Sequence, residues 1–204
     1  HHYTLPSPSS VSTRVSSSAA SDVYNRPVSL LLGQAYDLSL DQLYSQGAAQ
    51  DSIDAAFDAA QANLERAFEL RPIDDSSAVW HLGRYSLYRN NWTTDAIDLA
   101  NEALDDLPDD GEAFLIRGAA SAFTYWEAFQ NDNVDVANEI WQQAVDDLTQ
   151  ANELLSRDRI EPLGQLVWFY EVEGDARKAV DAARSIADRT RAPDLSLLYR
   201  LALK

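Results

Sequence analysis

Paired acidic residues are the side chains of this sequence that come closest to a catalytic arrangement. Two neighbouring carboxylates can act as acid and base, or can bind a divalent cation together. All but one of the pairs here fall at predicted helix ends or turns, where an acid most simply caps a helix. The number of pairs and their placement favour a structural role over catalysis. The pairs are Asp74-Asp75, Asp105-Asp106, Asp109-Asp110 and Asp146-Asp147.

Other catalytic and metal-binding patterns are missing from the sequence. Two acidic segments, 105–112 and 131–135, could bind calcium weakly, but neither has the glycine and glutamate spacing of a helix-loop-helix calcium loop. His81 is the only histidine in the body of the chain, and a lone histidine is more often a surface or core residue than a catalyst. The chain has no cysteine, phosphate loop, dinucleotide fingerprint or nucleophile elbow. We therefore expect no catalytic residues, no cofactor and no metal, with an enzyme as the weakest of three hypotheses.

The formal charge of −17 limits the partners of this chain. Nucleic acids and anionic membrane surfaces attract clusters of Lys and Arg, so neither is expected as a partner. No window has the run of about 18 to 20 apolar residues that a membrane span needs. Residues 90–156 hold 15 acidic residues against one basic residue, whereas residues 157–204 hold 9 basic and 8 acidic residues. This asymmetry indicates either a solvated acidic surface or head-to-tail contacts between copies.

Residues 1–26 differ in composition from the rest of the chain. The stretch from Leu5 to Ser21 is rich in Ser and Pro, and it lacks the periodicity that would let it bury apolar surface by itself. We predict an extended N-terminal arm over residues 1–26, held by the body or by a neighbouring molecule, and a helical domain over residues 27–204. Because the chain starts at His1 and not at Met, we expect a processed end or the remnant of a tag. The Ser-rich arm slightly favours a secreted or cell-surface protein over a cytoplasmic one.

A pattern of small apolar residues recurs four times along the helical domain. Its spacing of i, i+4 and i+7 places three residues on one helix face, and small residues there let a neighbouring helix approach closely. Pro72 and Pro108 follow the first two sets, at positions where a proline ends a helix. A segment with helical character precedes each set, so the pattern predicts antiparallel helix pairs, and residues 194–203 could cover the end of the array. The sets are Ala60-Leu64-Ala67, Ala96-Ala100-Ala103, Ala144-Leu148-Ala151 and Ala179-Ala183-Ile186.

These motifs resemble the tetratricopeptide-repeat family. The match is carried by Trp80-His81-Leu82-Gly83 with the alanines and proline that follow, and by a parallel set that starts at Leu32-Gly33. It covers about residues 28 to 190 in three to four helix pairs, with extra length in the first pair and around residues 125–136 of the third. The resemblance implies an all-α solenoid of antiparallel helix pairs whose first helices line a concave, partner-binding surface.

Candidate binding residues follow from this resemblance. Trp80, Arg84 and Tyr88 would share one helix face, and the aromatic segment after Phe123 contains the residue types enriched at binding hot spots. The same aromatic residues could instead fill gaps between irregular helices. The concave positions hold no lysine, so a clamp for a peptide carboxylate is not expected. The predicted partner-binding residues are Trp80, Arg84, Tyr88, Leu115, Phe123, Tyr125, Trp126 and Phe129.

Two functions of a non-catalytic interaction scaffold remain open at this stage. The first is a structural subunit that assembles with its own copies, head to tail or as a filament, through the N-terminal arm. The alternative is a monomeric adaptor that binds a peptide or partner protein on the concave face. If the protein is secreted, Asn91 is a candidate glycosylation site, because Asn91-Trp92-Thr93 fits the acceptor pattern.

Overall fold

The protein is an array of antiparallel helix pairs. The structure, a computed structural model, describes residues 17–72, 75–87 and 93–190. Those residues form eight helices and no strand, paired as α1 with α2, α3 with α4, α5 with α6 and α7 with α8. The predicted all-α solenoid is therefore confirmed. The helices are α1 (Ser17–Ser45), α2 (Gln50–Glu69), α3 (Ser77–Tyr85), α4 (Thr93–Asp106), α5 (Gly111–Gln130), α6 (Val134–Leu154), α7 (Glu161–Glu173) and α8 (Ala176–Thr190).

The small residues of the repeated pattern form the core, as predicted. Ala60, Ala96, Ala144 and Ala179, which begin the four sets, all lie on the second helix of a pair and are fully buried. The rest of each set is also buried, apart from the half-buried Ile186. Because the alanine side chain is small, the helices that face it can approach closely. This close approach sets the distance between neighbouring helix axes.

Glycines on the first helices allow an even closer approach. A Cβ atom added to Gly33 would lie 2.7 Å from the side chain of Leu64 on α2. A Cβ atom added to Gly118 would lie 2.7 Å from Leu148 on α6. Both glycines therefore pack against a leucine on the second helix of their own pair. The corresponding Gly83 meets Ile116 of α5 instead, and it therefore joins the second pair to the third.

Local signals explain where several helices begin and end. Asp110 caps α5, since its carboxylate accepts hydrogen bonds from the backbone N–H groups of Glu112 at 2.9 Å and Ala113 at 3.1 Å. Pro162 lies in the first turn of α7, where it costs no helical hydrogen bond. Gly174 ends α7 with a left-handed φ of 82°, a backbone conformation that glycine adopts without strain.

The predicted boundary between an arm and the helical domain at residue 26 is wrong. Helix α1 begins at Ser17 and runs through Pro27. The missing N–H of Pro27 removes one backbone hydrogen bond, but the apolar segment that follows packs on α2, and this packing lets the helix continue on both sides. The predictions for residues 1–16 and 194–203 lie outside the described residues.

The extra length predicted in the first and third pairs is helical. Helices α5 and α6 have 20 and 21 residues, whereas α3 and α4 have 9 and 14. The turn between α5 and α6 is short and includes Asp132 at a positive φ of 55°.

Among the described helices, none combines the length and apolar character that a membrane span requires.

A buried ion pair joins α5 to α6. The guanidinium of Arg117 donates two hydrogen bonds of 2.7 Å to the carboxylate of Asp147, which is 4% exposed, and a third of 2.9 Å to Asn101 on α4. The hydrogen bonds to Asp147 raise the pKa of Arg117 above its usual value, although burial acts in the opposite direction. The only basic residue between positions 90 and 156 is thus used to hold three helices together.

Replacing Gly118 with alanine should destabilise the protein by about 1–3 kcal/mol, because the new methyl group would overlap Leu148 and lie 3.2 Å from the Ala144 carbonyl oxygen. Gly164→Ala is the matched control: it lies on α7 with nothing within 4 Å of the added Cβ, so better helix propensity should stabilise the fold by up to about 1 kcal/mol. Urea unfolding of both variants measures the difference. Equal effects of the two changes would contradict the close approach at Gly118.

Replacing Arg117 with methionine should cost about 3–5 kcal/mol, because the Asp147 carboxylate would remain buried without its partner. The double variant Arg117→Met/Asp147→Leu should recover most of this loss, since it removes both charges. Denaturant unfolding of the single and double variants tests the pair. A double variant as unstable as the single one would show that shape, and not the unpaired charge, determines the cost.

Candidate binding groove

A groove lined with aromatic residues runs between α5 and α7, the first helices of the third and fourth pairs. It encloses about 630 Å³ and is open along one side. We call it the aromatic groove. Its lining residues are Ala122, Phe123, Trp126, Gln165, Trp168 and Val172.

The large apolar side chains of the aromatic groove are unusually accessible. Phe123 is 42% exposed, Trp126 is 49% exposed and Val172 is 42% exposed. Single exposed apolar residues are common on protein surfaces, whereas a contiguous set around a concavity is typical of a binding site. Tryptophan in particular contributes much of the binding energy at protein interfaces.

A second cleft continues the aromatic groove toward α3. It encloses about 320 Å³, and Gln165 lines both cavities. The two cavities together form one surface across α3, α5 and α7, which is the face that the resemblance predicted for partner binding. The lining residues of the cleft are Trp80, Leu115, Ile116, Ala119, Ile160, Glu161, Gly164, Gln165 and Ile186.

Arg159, in the loop before α7, fixes the helices that border the cleft. Its guanidinium pairs with Glu112 at the start of α5, with an Nη2–Oε2 distance of 2.9 Å, and with Glu161 at the start of α7 at 3.1 Å. It also lies over the ring of Trp80, 4.6 Å from the centroid, while its backbone carbonyl accepts a hydrogen bond from Arg189 of α8. Burial raises the pKa of Glu112, against the opposing effect of Arg159. One loop residue thus positions elements from three of the four helix pairs.

A cluster of aromatic rings supports the aromatic groove from below. The ring centroids of Tyr125 and Trp141 are 4.9 Å apart, and those of Trp141 and Phe169 are 4.7 Å apart, both in edge contacts. Phe169 is completely buried, and it also meets Trp168 of the groove at 5.0 Å. These edge-to-face contacts hold α5, α6 and α7 together and give the groove a fixed base.

The predicted binding residues divide between surface and support. Phe123 and Trp126 line the aromatic groove, and Trp80 lines the cleft. Leu115 also lines the cleft but is only 2% exposed, and Tyr125 packs into the ring cluster, so both contribute mainly as supporting residues.

The other predicted residues lie at the edges of this surface or beyond it. Phe129, at the end of α5, is 53% exposed and stacks on Trp126 with centroids 6.1 Å apart. Arg84 forms an ion pair with the buried Asp37 of α1 at 3.0 Å. Tyr88 and the candidate glycosylation site Asn91 lie outside the described residues.

Trp168 and Val172 are groove residues that the sequence analysis missed. They follow Gln165 at i+3 and i+7 and share its helix face, so this spacing is the signal that could have identified them. Helix α7 is apolar nearly all round, so its sequence does not distinguish the face that packs in the core from the face that lines the groove.

Three carboxylates of the acidic pairs have structural partners. Asp110 caps a helix, Asp147 pairs with Arg117 and Asp106 pairs with Arg71 at 2.8 Å. Within residues 17–72, 75–87 and 93–190, no group of three His, Asp or Glu side chains is arranged to hold a metal ion.

Comparison with known proteins gives structural matches only. No family model and no curated protein matches the sequence. The structure is similar to TTC0263, a thermophilic TPR protein in Thermus thermophilus, with a TM-score of 0.60 and 21% identity over 84% of this chain and 81% of that chain. It is also similar to the MamA protein, with a TM-score of 0.49 and 19% identity over 87% of this chain and 82% of that chain. The first of these matches confirms the tetratricopeptide-like fold.

Stability should fall as the pH is lowered through the usual pKa of histidine, near 6.5, because the pKa of His81 is depressed in the fold. Burial is the main cause, and the charges of Arg84 and Arg159 add to it, whereas Asp37 acts in the opposite direction. The unfolded chain therefore binds a proton at a higher pH than the folded chain does, and this difference is unfavourable to the fold in acid.

The measurement is urea unfolding between pH about 8 and 5 for the native chain and for His81→Gln. As the pH falls, the native chain should lose more unfolding free energy than His81→Gln does. The terminal His1 and His2 are common to both proteins, so their contribution cancels. A pH-independent difference would show that His81 is accessible and unperturbed.

Proposed function

We propose that this protein is a non-catalytic scaffold that binds a segment of another protein in the aromatic groove. The observation that carries the proposal is the set of half-exposed Phe123, Trp126 and Val172 side chains around a cavity of about 630 Å³. A helical-repeat fold supports this function, because its stacked first helices provide an extended surface for partners.

The lining residues define the chemistry of the partner segment. Phe, Trp and Val side chains recognise large apolar or aromatic groups, and Gln165 adds a side-chain amide to the described lining of the groove. Residues 90–156 carry 15 acidic residues against one basic residue, so a partner with neutral or basic flanks would meet less repulsion. We therefore propose a peptide segment with one or two large apolar side chains next to Lys or Arg.

Binding of such segments should depend on the exposed groove residues. Peptides selected from a random displayed library against the immobilised protein should be enriched in Trp, Phe or Leu, and calorimetry gives their dissociation constants. Trp126→Ala should weaken the selected peptides about 30-fold, as expected for a tryptophan at the centre of an interface. Val172→Ala should have a smaller effect in the same direction.

Leu154→Ala is the matched control for this experiment. Leu154 has a similar exposure of 43%, but it lies on α6 and does not line the aromatic groove. Its replacement should leave the affinity unchanged. Selected peptides that bind Trp126→Ala and Val172→Ala as tightly as the native chain would show that they use another surface, and the proposed function would then be wrong.

A second candidate function is assembly with other copies of the chain, as the sequence analysis predicted. The observation that favours it is the outer face of α1, where Leu31 is 65% exposed and Leu38 is 68% exposed. Light scattering on the full chain and on a chain that begins at Ser17 tests the role of the residues before α1. A smaller mass after truncation would support a connecting arm, whereas an unchanged multimer would place the contact on the helical body.

A further inference from the structure

An exposed apolar stripe runs along α1. Val28, Leu31 and Leu38 are 55%, 65% and 68% exposed, and Ala35 between them is also exposed. These four residues, which we call the α1 seam, follow one another at intervals of three, four and three positions. This is the spacing of the a and d positions of a heptad, which form a single stripe when two helices pair along their length.

The α1 seam faces away from the other described helices. Gly33 and Leu40 lie on the other side of the helix, where Gly33 meets Leu64 of α2 and Leu40 is completely buried. Helix α1 packs mainly on α2 and to a smaller extent on α3. It is also the first helix of the array, so no preceding helix of the described residues covers the α1 seam.

The α1 seam carries no charge, unlike most of the surface. No Asp, Glu, Lys or Arg occurs between residues 28 and 36. Of the charged side chains at its two ends, Arg26 pairs with Asp75 and the buried Asp37 pairs with Arg84, whereas Asp41 is exposed one turn beyond Leu38. Two copies of a chain with a charge of −17 repel each other, and an uncharged face is where they can approach at the lowest electrostatic cost.

We propose that the α1 seam pairs with the α1 seam of a second copy and forms a symmetric dimer. The same stripe serves on both sides, because a heptad stripe of Val, Leu and Ala is complementary to itself. At about 1.5 Å per residue the stripe is about 15 Å long, and at a helix width of about 10 Å each face covers roughly 150 Å². An interface of this size is smaller than that of a standard specific complex, so the dimer is weak and forms at high protein concentration.

The symmetric contact has a consequence for the size of the assembly. A two-fold interface is closed once both copies are engaged, so the α1 seam by itself gives dimers and not filaments. This inference deepens the second candidate function, the assembly of copies, and does not depend on the aromatic groove.

Light scattering over a concentration series tests the dimer. The native chain should approach twice its monomer mass of 22.7 kDa, and the fraction of dimer should rise with salt, because screening weakens the repulsion between acidic copies. Leu31→Glu and Leu38→Glu should each give a monomer. Val136→Glu is the control, since Val136 is an exposed apolar residue on α6, and it should leave the mass unchanged.

A cysteine scan tests the contact itself without depending on a disruptive substitution. The chain has no cysteine, so single variants at Val28, Leu31, Ala35 and Leu38 each introduce one thiol. Under mild oxidation at least one of them, or a mixture of the Leu31→Cys and Ala35→Cys chains if the two helices pair antiparallel, should form a disulfide-linked dimer, because this bond requires Cα atoms within about 7 Å of each other. Val136→Cys should not form one.

The outcomes separate this inference from the function that it deepens. A dimer with no disulfide at any seam position would show that the copies meet through another surface, and the α1 seam would be wrong while assembly stands. A monomer at every concentration would overturn both. If the thiol of Ala35→Cys is then protected from a soluble labelling reagent, residues 1–16 or 191–204 of the same chain cover the seam.

Discussion

The close approach of helices at small residues is the constraint on which the rest of this structure depends. Gly118 receives Leu148 within the third pair, and Gly83 receives Ile116 between the second and third pairs. Each contact leaves no space for a methyl group, so the helices lie closer together there than any residue larger than glycine would allow. Because α5 is held in this way on both sides, the position of α7 beside it, and with it the width of the aromatic groove, follows from the stack.

Electrostatics adds cross-links to this packing. Five arginines each pair with an acid from a different helix or loop, and the acids of Arg84 and Arg117 are almost completely buried. Such pairs are costly to break, because the remaining charge would stay away from water. The arginines are also no longer available to neutralise the surface, which stays strongly acidic between residues 90 and 156. The pairs are Arg26–Asp75, Arg71–Asp106, Arg84–Asp37, Arg117–Asp147 and Arg159–Glu112.

The sequence predicted features that depend on local spacing and missed those that depend on tertiary contacts. The alanine sets identified the buried faces of the second helices, because residues spaced at i, i+4 and i+7 always lie on the same face of a helix. The sequence did not predict that α1 continues through Pro27, since packing of the following segment on α2 outweighs the local preference of proline. The roles of Tyr125 and Trp126 could not be separated either. They are adjacent in sequence, but one faces a cluster of three helices and the other faces solvent.

The two proposed surfaces are compatible because they lie in different parts of the array. The α1 seam belongs to the first pair and the aromatic groove to the third and fourth pairs, so pairing through α1 leaves the groove open. A dimer would therefore present two grooves on one particle. Two linked sites bind a partner that has two suitable segments far more tightly than one site does, provided that the partner can reach both. Weak self-association and weak binding in each groove would then be sufficient for a scaffold. Binding at two linked grooves supplies the affinity that neither surface has by itself.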